Sequence, residues 1–167
     1  MAMTEKRMIR LINNLQKMAD NDKHAYNPYA SLVLMRDNYI YATDGFIIHR
    51  IGVSGLPYMT FDQQPKHWYR VYVEDGRIKF TDDDVKVERI NANHSGSTTY
   101  ENFEKLLEFD GTTSGQWMDP AFLKKALEPY NIAQISVQVK TVEKDRIALV
   151  GWNDYVSIHS VAMGIRR

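Results

Sequence analysis

The residues of this chain best suited to chemistry are scattered. Five histidines stand at 24, 49, 67, 94 and 159, and none forms the i, i+4 pair with which a helix offers two imidazoles to zinc. There is no cysteine, which excludes thiolate nucleophiles, disulfides and Cys-ligated zinc or iron–sulfur centres. Asp82-Asp83-Asp84 lacks the glycine and terminal glutamate of a calcium loop. Gly52-Val53-Ser54-Gly55 misses the nucleophile-elbow spacing by one residue. Gly111-Thr112-Thr113-Ser114-Gly115 lacks the lysine of a phosphate loop. Asp44, His49 and His159 are the residues from which a small enzyme site would be built, but the sequence places no nucleophile, base and orienting group together. The expectation is a non-enzymatic protein without cofactor or metal.

The remaining chemistry is charge. Arg7, Arg10, Asn14 and Lys17 fall at i, i+3, i+7 and i+10, along one side of a helical stretch. Such a stripe is either a solvated face or a set of phosphate contacts that read charge and not base edges. The total charge does not choose, because 21 basic residues balance 21 acidic ones.

The elements that must carry these residues follow from periodicity. From Thr4 to about Ala19, Met8, Leu11, Ile12, Leu15, Met18 and Ala19 make one apolar helical stripe, with Thr4 as cap. At 1.5 Å per residue this helix is roughly 24 Å long. Strands are expected at Ser31–Met35, Tyr39–Thr43 and Phe46–Ile51, with turns at Arg36-Asp37-Asn38 and Thr43-Asp44-Gly45. Gly52 to Lys66 reads as a loop. Three more strands are expected at Trp68–Val73, Arg77–Phe80 and Val85–Ile90, then a polar segment from Asn91 to Thr99. Asp119-Pro120 opens a second helix, which buries Phe122, Leu123, Ala126 and Leu127 and ends at Pro129. Strands at Ile135–Val139, Arg146–Val150 and Tyr155–Ala162 complete the chain.

Helix plus three strands thus occurs twice around an insertion. The length suits one domain: a first half at about 1–53, inserted strands and connector at about 54–113, and a second half at about 114–167. The expected class is α+β, two similar halves with both helices on one side of antiparallel sheets. Hydrophobic residues at 44% and charged residues at 25% suit a soluble core-forming chain. No apolar run reaches the ~20 residues of a spanning helix, and no signal-peptide core is apparent, so the cytoplasm is the expected location.

Three segments together resemble the bacterial sliding clamp, the beta subunit of DNA polymerase III. Ala42-Thr43-Asp44-Gly45-Phe46-Ile47-Ile48 resembles the family's A-T-D-G-H-R-L turn. Tyr100-Glu101-Asn102-Phe103-Glu104-Lys105-Leu106-Leu107 resembles the F-P-D-Y-R-R-V-L connector between clamp domains. Asp119 to Arg166 is similar to the final clamp half-domain, with Val161-Ala162-Met163-Gly164-Ile165-Arg166 in place of the V-M-P-M-R ending. Phe46 and Ile47 replace the family's His-Arg, and Gly164 its proline.

The resemblance implies a shortened, phage-type clamp-like replication protein with helices toward duplex DNA and sheets outside. Its DNA-facing set would be Arg7, Arg10 and Lys17 from the first helix, with Lys124 and Lys125 from the second. Its pocket for the peptide motifs of polymerases and other replication proteins would comprise Thr43, Gly45, Phe46, Ile47, Met163, Gly164, Ile165 and Arg166. Family members carry three domains per chain and close a ring as a dimer, so a one-domain chain would need about six copies, paired head to tail through edge strands. The alternative reading is a clamp mimic that binds replisome proteins without encircling DNA.

Overall fold

The structure, a computed structural model, describes residues 3–20, 31–53, 64–92, 105, 107, 120–142 and 146–163. The first helix, α1 (Glu5–Asp20), forms where the apolar stripe lies. Thr4 caps it: its hydroxyl accepts from Arg7 N at 3.4 Å and its carbonyl from Met8 N at 3.0 Å. Met8, Leu11, Ile12 and Leu15 are completely buried, and each such side chain contributes about 1.5–3 kcal/mol.

Strands β1 (Leu34–Arg36), β2 (Tyr39–Thr43) and β3 (Ile47–Gly52) follow as a meander. Strands β4 (Tyr69–Glu74) and β5 (Arg77–Thr81) form a hairpin. The tight turns at Asp37-Asn38 and Asp75-Gly76 have positive φ at both central residues, which matches the right-handed twist of the strands they join. After α2 (Val85–Ala92) and α3 (Pro120–Ala133) come β6 (Gln138–Val142), β7 (Arg146–Trp152) and β8 (Ser157–Met163). The eight strands among the described residues form one antiparallel sheet in the order β5-β4-β1-β2-β3-β8-β7-β6. The α+β class is therefore observed. The pairing of β3 with β8 joins the five early strands to the three late ones.

Side chains alternate between the two faces. On one face, Ile40, Ala42, Ile47, Ile51, Leu149 and Ile158 pack with α1 and α3 in the main core. The two helices lie against each other there. On the other face, Val87 and Ile90 of α2 pack on Leu34, Tyr41 and Trp68, and Leu107 covers Ile48, Ala148 and Val161.

The strand expected at Ile135–Val139 begins only at Gln138 and runs to Val142, and two helical expectations are corrected. Val85–Ile90 is a helix, not a strand. Asp84 caps it, its carboxylate accepting from Lys86 N at 2.9 Å, and Val87 and Ile90 are buried at helical spacing while Val85 stays 64% exposed. This helix also lies on the face opposite the two that were expected. Secondly, Pro129 does not end α3. The helix continues to Ala133, and Gln134 in the left-handed region (φ 56°) closes it, with Ile135 N donating to Tyr130 O at 3.2 Å. Burial of Tyr130, Ile132 and Ala133 offsets the amide hydrogen bond that proline cannot make. The expected cap Asp119 and the segment 111–115 lie outside the described residues, as does all but Lys105 and Leu107 of the 100–107 connector.

Candidate nucleic-acid interface

The surface formed by α1 and α3 is built by amphipathicity. Their apolar sides enter the main core, so their polar sides face away from the sheet. Arg10, Lys17 and Lys124 are exposed and Arg7 is half-buried. Lys6 adds a fifth positive charge to this surface, against Glu5, Asp20 and Glu128. Lys125 has a different setting: its ammonium is bound to the carboxylate of Asp44, which is buried. Of the five residues expected to face DNA, four lie on the outer side of the helical layer, and the fifth ties α3 to the β2–β3 turn.

That turn is held by its own side chains. Asp44 Oδ1 accepts from Phe46 N at 3.0 Å and Ile47 N at 2.8 Å, and Thr43 Oγ1 accepts from Gly45 N at 3.0 Å. Gly45 has φ 87°, where a side chain is strained. The hairpin between β7 and β8 repeats the arrangement. Asn153 Oδ1 accepts from Tyr155 N and Val156 N, both at 2.9 Å. Asp44 N donates to Ile47 O, and Asn153 N to Val156 O. Phe46 and Tyr155 are the exposed aromatic residues of the two turns, and Ile47 and Val156 the buried ones.

The expected peptide pocket is only partly described. Thr43 and Ile47 are buried, Ile47 within the main core, so neither offers an open wall. Phe46 is 42% exposed and stacks on Phe122 of α3, ring centroids 5.8 Å apart. Only the backbone of Met163 is described, at the end of β8, and Gly164, Ile165 and Arg166 lie outside the described residues.

Behind the turn, the sheet and α3 share a buried polar chain that sequence reasoning missed. His49 Nδ1 lies 2.5 Å from Ser160 Oγ, and Ser160 Oγ lies 2.9 Å from the Tyr130 hydroxyl. Tyr130 donates to the carbonyl of Leu149 at 2.6 Å. Its single proton thus spent, Tyr130 accepts from Ser160, and Ser160 in turn accepts from His49 Nδ1–H. His49 Nε2 is then a bare lone pair, with no hydrogen-bond partner among the described residues. Burial lowers the His49 pKa to about 4, Asp44 opposing the shift and Lys125 adding to it. Burial likewise pushes the Tyr130 phenol above its ordinary range. Only the register of β3 against β8, invisible in either strand alone, brings His49 to Ser160.

His159 pairs with Arg50 one rung away and therefore faces the opposite side of the sheet from His49. Asp44, His49 and His159 do not converge on one site. Among the described residues, no cluster of three His, Asp or Glu side chains suits a metal ion. No helix among them is long and apolar enough to cross a membrane. No protein-family model, curated protein or solved structure matches the chain.

Proposed function

We propose that this protein is a non-enzymatic, sliding-clamp-like replication protein that holds duplex DNA against the α1–α3 surface. The observation that carries the reading is the packing of α1 beside α3 on one sheet face, with Arg7, Arg10, Lys17 and Lys124 on the side away from the sheet. Long cationic side chains on a helical wall neutralise phosphates without reading bases, the property a sliding contact needs. The two hydrogen-bonded turns at Asp44 and Asn153 support a clamp-like pairing of two α-β-β-β halves across β3 and β8. A ring of copies would pair β5 of one subunit with β6 of the next, the strands at the two ends of the sheet. Arg7→Glu with Arg10→Glu should weaken duplex binding at least tenfold in fluorescence anisotropy, with thermal unfolding to check that the variant folds. Unchanged affinity rejects the helix-face assignment.

A clamp mimic that binds replisome proteins and not DNA is the second reading. It is favoured by the exposed Phe46 ring, stacked on the partly buried Phe122, and by the loss of Lys125 to Asp44. Capture of a clamp-binding peptide without duplex binding selects it.

A further inference from the structure

The turns at Asp44 and Asn153 are built alike, and one atom sets them apart. In each, a side-chain Oδ1 accepts from two nearby amides, Phe46 N and Ile47 N in the first, Tyr155 N and Val156 N in the second. Asn153 does this without a charge, so such a turn does not need a carboxylate. Asp44 Oδ2 is the atom left over, and it receives the Lys125 ammonium. The Asp44 side chain is 5% exposed and that of Lys125 35%.

Lys125 is the neighbour of Lys124, one of the exposed cations of the α1–α3 surface. A lysine stem is long and flexible, so an ammonium not held by Asp44 could swing to that surface. Two anions therefore compete for it. The carboxylate is buried, where a charge pair attracts strongly and a lone charge is costly. The pair also lies close to the completely buried His49, whose imidazole feels both charges in opposite senses. A duplex phosphate would meet the ammonium in water, where attraction is weak and screened by salt. The carboxylate wins that comparison.

We propose that Asp44 is a brake on the duplex-binding surface: its carboxylate takes the place of a phosphate and keeps Lys125 out of the DNA contact. The inference rests on the α1–α3 surface holding duplex DNA, and it names what limits that hold. A contact withheld leaves the duplex bound less tightly and with a shallower salt dependence.

The test is the salt dependence of duplex binding by the full chain, read by fluorescence anisotropy of a labelled duplex. Asp44→Asn keeps the Oδ1 acceptor of the turn and releases Lys125. It should steepen the salt slope by about one phosphate contact, so that the affinity lost between about 50 and 200 mM salt grows roughly 3.5-fold. Lys125→Ala alone should leave the native slope unchanged, whereas Lys124→Ala should lower it by about one contact. Adding Lys125→Ala to Asp44→Asn should return the slope to its native value, which separates the freed lysine from the mere loss of a negative charge. Circular dichroism checks that each variant folds, and Asp44→Ser, whose hydroxyl also accepts from turn amides, serves if the asparagine variant does not. With duplex binding intact, a slope unchanged on releasing Lys125 shows that the pair only pins α3 and overturns the inference, as does a slope lowered by Lys125→Ala alone. A native chain that binds no duplex overturns the functional reading and this inference together.

Discussion

His49 is the residue through which pH reaches the fold. Its imidazole is completely buried and its pKa is lowered to about 4, against 6.5 in the unfolded chain. A depressed folded pKa means that the unfolded state takes up the proton first as acid is added. The stabilisation is whole above pH 6.5 and is lost as pH falls toward 4, by about 3 kcal/mol for a shift of this size. Asp84 acts in the same direction lower on the scale: burial raises its carboxyl, but the Lys86 and Val87 amides and Arg70 outweigh that and hold it below the usual carboxylate range. His49→Gln should flatten the pH dependence of unfolding free energy between pH 6.5 and 4, and an unchanged slope in denaturant titrations would show that another group dominates. Tyr130→Phe removes the donor to Leu149 and the acceptor for Ser160, and should lower stability by about 1–3 kcal/mol in the same titrations.

At the scale of elements, features set by near neighbours in the chain are legible in the sequence. The α1 stripe, the hairpins at Asp37-Asn38 and Asp75-Gly76, and the Asp44 turn are set by residues within a few positions of each other. The errors arose where two local signals compete. Val85-Lys86-Val87 alternates like a strand, yet Asp84 is a helix cap and Ile90 completes a helical pair with Val87. Pro129 looked like a stop, and the burial of Tyr130 beyond it was not legible from the helix alone. The placement of α2 gives a clear test: Val87→Asp should destabilise the fold by several kcal/mol, whereas Val85→Asp should leave it nearly unchanged. Equal effects in thermal unfolding would contradict the helical assignment.

For the whole molecule, net charge hides what geometry separates. Twenty-one basic and twenty-one acidic residues cancel in the sum, but the described helical layer presents more positive than negative side chains on the side away from the sheet. The sequence places cations on one side of each helix, and its repeated helix-plus-strands pattern already implies that both helices share one side of the sheet. That depends on β3 pairing with β8, a contact between strands more than a hundred positions apart. The sequence could not show that Lys125 turns inward to Asp44. If the α1–α3 surface is a phosphate contact, the salt dependence of duplex binding will show it. The logarithm of the association constant should fall linearly with the logarithm of salt concentration, and Arg10→Ala should reduce that slope by about one phosphate contact. A native chain whose duplex affinity is indifferent to salt, or an Arg10→Ala slope identical to that of the native chain, would contradict it.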